Sequence, residues 1–310
     1  APIEMPVYAP GDIYVVRVTS QEHLYADPPY ADYDLTFKTC REVTFWIGHM
    51  ASLSPKLMAV LEKPDRCDET IAGETRRRYC SKTISGDQLV QFKSGEKIGT
   101  VGGRYGQNML DMGAYDYRRD PLPFIEQDSY MDHYYFTACP LDYFQEPLAT
   151  ELKALLGHYT GSPRRSQEPV CGKIMYDVTG TVQGNWFFDL DPYPEDPHLS
   201  LVYDNVYPGR GVISVGISFG ENLPAGKYPF EPQDAGIVNR HFQEISPDGK
   251  VYCYDDFLDI WRDELKNRMV LLHMVDDNHL KIEGREGGSC GEGPWKLTDQ
   301  AQTFSRTIED

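Results

Sequence analysis

Residues 43–50 read VTFWIGHM, and residues 88–103 read QLVQFKSGEKIGTVGG. Apolar and polar side chains alternate through both runs, and glycine-containing steps interrupt the second, a period-two pattern of strands separated by turns. Two earlier stretches, DIYVVRV at 12–18 and YDLTFKTC at 33–40, repeat the pattern. Residues 1–120 are therefore expected to form a β domain. SLSPKLMAVLEK at 52–63 is the expected exception, a short helix opened by Ser54 before Pro55 at its first position.

The pattern changes over residues 121–168. A helix is expected near 146–157, with Leu148, Leu152, Leu155 and Leu156 on one face and Gly157 as its stop. The Gly-Ser-Pro-Arg-Arg run at 161–165 reads as a linker, which places a domain boundary near 165. From Cys171 onward strand-like runs resume, among them GNWFFDL, HLSLVYDN, GVISVGISFG, VYCYDD, RMVLLHMV and HLKIEGRE. Their regular spacing predicts an antiparallel barrel or sandwich over 169–310. Trp186, Phe187 and Phe188 are expected in its core, and Gly180, Gly184, Gly216 and Gly220 at turns or corners. The fold class is mostly β, two domains with few short helices.

Composition narrows the functional classes. The chain has 310 residues, 30 Lys+Arg against 48 Asp+Glu and a formal charge of −18. Nucleic acid and anionic membrane surfaces are disfavoured, because phosphate is held by Lys and Arg, which form short clusters such as 76–78 and 164–165 but no basic stripe. The 21 Tyr, 13 Phe and 4 Trp exclude a disordered chain. No apolar run reaches the ~20 residues of a membrane span. Self-association is disfavoured unless ions screen the charge.

Seven cysteines without a Cys-x-x-Cys pair argue for disulfides over a zinc ribbon. Cys67 and Cys80 flank a polar excursion that a bridge would close, and Cys253 and Cys290 can pair in the last third. The odd count leaves one thiol over. Together with an N-terminus, APIEMPVYAP, that fits a processed chain, this predicts a secreted or envelope-associated protein. No Asn-x-Ser/Thr acceptor is present.

The first domain resembles the lysostaphin-like zinc endopeptidases, which have a duplicated-hybrid-motif fold. PVYAPGDIYVVRV is similar to the family's opening turn and strand, FWIGHMASLS to its Tyr-Ala-His-Leu-Ser strand end, and SGEKIGTVGGRYG to its Gly-x-x-Ile-Gly-x-x-Gly hairpin. QNMLDMGAYDYR stands where the family carries its closing His-x-His strand. The resemblance implies a zinc held by a His-x-x-x-Asp segment and the second His of His-x-His, with an open position for the attacking water. Only His49 matches that set. Asn108, Met109, Leu110 and Asp111 replace His-x-His, and no His-x-x-x-Asp precedes PVYAP. What the resemblance implies is a peptidase-like domain without its zinc, a pseudoenzyme with no catalytic residues. The second half resembles a block carried by bacterial extracellular proteins with a peptidase-like first half, which implies no activity.

The remnant groove supplies the candidate binding residues His49, Arg104, Asn108 and Asp111, with a polysaccharide or cell-wall glycan as the expected partner. Tyr25, Tyr30, Tyr33, Tyr115, Tyr117, Tyr130, Tyr134 and Tyr135 stand in polar, Asp-rich segments and would suit glycan stacking or a subunit interface. Two alternatives follow: a structural subunit of an extracellular assembly, and a zinc-dependent peptidoglycan hydrolase whose ligands come from outside this segment. No cofactor is expected. The carboxylates of 189–198, Asp255-Asp256 and Asp276-Asp277 could hold calcium but lack EF-hand spacing. The serines of GVISVGISFG read as strand residues.

Overall fold

The alternating runs become strands whose successive side chains face a core and a polar surface in turn. The computed structural model describes residues 3–72, 75–86, 89–104, 109–126, 130–188, 198–216, 223–258 and 267–306. They fall into two units, one of Ala1–Pro121 with Phe136–Ala149, the other of Leu122–Tyr135 with Thr150–Asp310. Residues 121–168, read from sequence as a connection, are divided between them.

The first unit contains β1 (Glu4–Tyr8), β2 (Ile13–His23), β3 (Tyr30–Lys38), β4 (Val43–Met50), β5 (Ser52–Leu53), α1 (Pro55–Leu61), β6 (Arg66–Ala72), β7 (Thr75–Thr83), β8 (Val90–Phe92), β9 (Lys97–Gly102), β10 (Asp111–Asp116) and β11 (Thr137–Ala138). A small sheet has the order β1-β9-β5, and a large one runs β11-β10-β4-β3-β2-β7-β6, with β8 also pairing β2. All pairings are antiparallel. In the large sheet Val18 lies opposite Leu35, which lies opposite Ile47, so one face is apolar. That face joins Val7, Leu53 and Ile98 of the small sheet in one buried cluster. Gly99 sits where a Cβ would overlap the Ser52 carbonyl, so β9 and β5 approach only because the residue is glycine. Helix α1 begins at Pro55 after Ser54 and buries Leu57.

Helix α2 (Leu148–Lys153) is shorter than the expected 146–157. After Ala154 bonds back to Thr150, the amides of Leu155 and Leu156 reach only three residues back, which tightens the turn and ends the helix. Leu148 and Leu155 are exposed, so the leucine face does not form, and Gly157 instead bridges Arg164.

The second unit contains β12 (Gly184–Phe187), β13 (His198–Tyr203), β14 (Gly211–Val215), β15 (Gly226–Phe230), β16 (Tyr252–Tyr254), β17 (Arg268–Met274), β18 (His279–Glu286) and β19 (Gln302–Ser305). They form one antiparallel sheet in the order β15-β14-β13-β12-β19-β18-β17-β16. Its end strands come together: the Leu258 amide, just beyond β16, donates to the Pro229 carbonyl of β15, and Phe230 packs 4.8 Å from Tyr254. The result is a nearly closed barrel, its interior filled by Trp186, Tyr228, Phe230, Phe242, Tyr254 and Phe304. Phe187 is also buried, whereas Phe188, expected beside it, stands one residue beyond β12 and is 48% exposed.

Arg306 is wholly buried, its guanidinium 4.0 Å over the Trp186 ring, and donates to the carbonyls of Val178, Thr181 and Gln183. Burial pulls its pKa down to about 10. Cys67 and Cys80 are bonded across β6 and β7, and Cys253 is bonded to Cys290. Cys139 and Cys171 are half-cystines too, and Cys40 is free and exposed.

Candidate functional site: a polar sheet face around His49

The face of the large sheet opposite the core is polar because the second member of each alternating pair is polar. Thr19 and His23 of β2 lie opposite Asp34 and Tyr30 of β3. Asp111 of β10 lies opposite Gly48 of β4, and Gly113 opposite Trp46. The pairing of β3 with β4 shifts register between Tyr33 and Leu35, next to where His49 takes φ +62°, a conformation rare outside glycine.

That backbone turn aims the imidazole into a ring of carboxylates. Its Nδ1 donates to Asp32 Oδ2 at 2.8 Å, its Nε2 lies 3.3 Å from Asp111 Oδ2, and its backbone amide donates to Asp34 Oδ1 at 3.3 Å. Thr19 donates to the other oxygen of Asp34 at 3.1 Å. The Asp32 hydrogen bond, reinforced by the charges of Asp32, Asp111 and Asp34, raises the His49 pKa against a smaller opposing effect of burial.

Beside this network, Tyr30 stacks on both His23 and Arg104, each 4.3 Å away. Arg104 also donates to the Pro28 carbonyl at 3.3 Å. His23 is buried, and burial followed by the charge of Arg77 lowers its pKa, with Arg104 and His49 acting the same way and Asp32 opposing. Two buried atoms of the face have no hydrogen-bond partner among the described residues, His23 Nε2 and Asp32 Oδ1. A buried donor or acceptor without a partner is costly until water or a ligand supplies one.

Trp46 completes the surface. A Cβ at Gly113 would overlap its indole nitrogen, and one at Gly48 would crowd both its ring and Asp34. The two glycines thus let the half-buried indole lie against the strand backbones, next to the carboxylates.

Of the residues expected from sequence, His49 and Asp111 are in contact, and Arg104 stands on Tyr30 in the same charged neighbourhood. Asn108 lies outside the described residues. Asp32, Asp34, His23 and Trp46 were missed. The Asp-Tyr-Asp alternation at 32–34 held the signal, since Tyr33 packs against the core and sends both carboxylates to the other face. Among the tyrosines, Tyr25 and Tyr30 border His23, whereas Tyr130 packs on Phe124 and Phe187.

The donor set does not fit a catalytic zinc. With its Nδ1 proton given to Asp32, His49 offers only Nε2, which faces the single carboxylate of Asp111, and no group of three metal-binding side chains occurs among the described residues. For calcium, residues 189–197 lie outside the described residues. Asp255 accepts from the Cys290 amide, and Asp276 from the Asn278 amide and His279, so these carboxylates are engaged locally. Residues 216–220, GISFG, do match the Gly-x-Ser-x-Gly spacing of a nucleophile elbow, contrary to their reading as plain strand. Ser218 and the rest of 217–222 lie outside the described residues.

No family model, no curated protein and no solved structure matches this chain. No helix among the described residues is long and apolar enough to cross a membrane.

Proposed function

We propose that the first unit is a lysostaphin-like domain that has lost its zinc set and binds a glycan or cell-wall polymer without cleaving it, in a secreted or envelope-associated protein. The observation that carries the reading is the flat Trp46 indole beside Asp32, Asp34 and Asp111 gathered on His49. An aromatic face next to fixed hydrogen-bonding groups suits a sugar ring, with an apolar C–H face and a polar edge. The unpartnered His23 and Asp32 atoms add an unused donor or acceptor and an acceptor. The disulfides support an oxidising compartment.

The test is calorimetric titration of the protein with soluble peptidoglycan fragments, beside Trp46→Ala and His49→Ala. The expected result is binding weakened roughly tenfold or more in both variants, the equivalent of about 1.4 kcal/mol. Affinity unchanged in both would overturn this site, and release of cleaved products by the wild type would overturn the non-catalytic reading.

A further inference from the structure

The outer wall of the second unit's barrel carries a polar row across four strands. Asn185 of β12 lies opposite Ser200 of β13, Ser200 opposite Ser214 of β14, and Ser214 opposite Lys227 of β15, so the four side chains share one face. Leu199, Ile213 and Tyr228, one residue along each strand, turn the other way and fill the interior. A hollow of about 530 Å³ lies over Ser200, Ser214 and Lys227, within the ~300–1,000 Å³ of small-molecule sites, and Arg165, Lys173 and Asp204 also line it.

Hydrogen bonds fix the residues of this hollow in place. Asn205 Oδ1 accepts from the Lys173 amide at 3.0 Å and its Nδ2 donates to the Lys173 carbonyl at 3.2 Å, so the backbone of the lysine is clamped on both sides. Gly172 precedes it at φ +83°, where a Cβ would crowd both Asn205 and the Arg165 guanidinium. Arg165 is half-buried, its amide donating to the Leu156 carbonyl at 2.9 Å and its Nη1 to the Val170 carbonyl at 3.2 Å. Ser200 donates to Asn185 Oδ1 at 2.7 Å.

The charge at this hollow is opposite to that of the chain. In a protein of formal charge −18, Arg165, Lys173 and Lys227 face the single carboxylate of Asp204, whose Oδ1 already accepts from the amides of Val206 and Tyr207. None of the three cations has an ion pair among the described residues. Arg165 Nε is buried without a hydrogen-bond partner, which leaves uncommitted the Nε–Nη2 edge, the one that grips an oxyanion side-on. The Ser214 hydroxyl also has no partner among the described residues. We infer that this hollow, carried by the second unit alone, binds a small acid by its oxyanion group, a carboxylate or a sulfate, with Arg165, Lys173 and Lys227 as counter-charges and Ser214 as a neutral donor. A cationic ligand would meet a net positive wall, and a neutral one would cover three cations without supplying a counter-charge.

The test is calorimetric titration of the full chain at low ionic strength with two probes, citrate and inorganic sulfate, in wild type, Lys173→Glu, Lys227→Glu and Lys281→Glu. All three lysines are exposed, so the substitutions leave the core alone, and Lys281, on the outer face of β18 and not part of this hollow, is the control that changes the net charge by the same amount. The expected result is that Lys173→Glu and Lys227→Glu each weaken binding roughly tenfold or more, while Lys281→Glu leaves it unchanged. Tighter binding of citrate would assign the site to carboxylates, and tighter binding of sulfate to tetrahedral oxyanions. Equal losses in all three variants would show attraction by overall charge alone and overturn the site, as would binding indifferent to Lys173→Glu and Lys227→Glu. No binding of either probe by the wild type would overturn it too.

Discussion

His49 Nδ1 lies 2.8 Å from Asp32 Oδ2. This contact and the charges near it raise the folded-state pKa of His49, so the protonated ring stabilises the fold fully below about pH 6.5, and the contribution is lost as pH rises through the raised value. With the side chain 41% exposed, screening limits it to about 1 kcal/mol or less. His23 works in the opposite sense. Its depressed pKa stabilises the fold above about pH 6.5, and that stability is lost as pH falls through the folded value. Melting curves from pH 5 to 9 should show wild type exceeding His49→Gln most at the acid end and His23→Gln most at the alkaline end. Parallel profiles for the two variants would refute the assignment.

Asp116, buried at the end of β10, accepts two hydrogen bonds from the Arg118 side chain and one from the Tyr143 hydroxyl. The Arg118 contact holds its carboxyl well below the usual range, against burial and with help from Tyr143. Burial, then the bond to Asp116, pushes Tyr143 up to about 12. Asp116→Asn should cost about 2–3 kcal/mol in urea denaturation at pH 7, because Arg118 and Tyr143 lose a charged acceptor. Since a depressed carboxylate stabilises above its unfolded pKa, the deficit should shrink below about pH 4.

Gly113→Ala should disturb Trp46, whose indole nitrogen occupies the space a Cβ needs. A loss of about 1–3 kcal/mol with altered tryptophan emission is expected. Gly11→Ala, where nothing lies within 4 Å, is the matched control and should stay within about 0.5 kcal/mol of wild type. Equal effects would mean that Trp46 does not rest on Gly113.

Replacing Cys253 and Cys290 together by Ser should cost about 3–4 kcal/mol, since the bridge spans 37 positions and packs with Met269 and Leu271. The Cys67–Cys80 bridge spans 13 positions in a hairpin already closed by its own ladder, so its loss should cost less. Under non-reducing conditions a maleimide should label one thiol per chain, at Cys40. Chemical denaturation and peptide mapping read these outcomes.

Strand after strand was legible because alternation is local: VTFWIGHM becomes β4 and RMVLLHM β17. The Cys67–Cys80 bridge was legible from the polar excursion it closes, and Cys253 with Cys290 from their shared place in the last third. The second unit's closure was not, because it depends on Leu258 reaching Pro229 and on β12 meeting β19, both remote in sequence. The helix at 146–157 was overextended because its leucines do not find a common buried surface. At the site, His49 and Asp111 were named from a resemblance in the order of motifs, but Asp32 and Asp34 required knowing that Tyr33 faces inward.

The place of β19 constrains how the protein can be made. Phe187 of β12 has Ser305 as its neighbour, and the Arg306 stopper beneath Trp186 comes one residue later. At roughly 5–20 residues per second of synthesis, β12 waits on the order of ten seconds with that edge unpaired. During vectorial emergence the second unit is therefore an open sheet with an exposed edge, the form most prone to pairing with another nascent chain. It becomes a barrel only once residue 306 is free to turn inward.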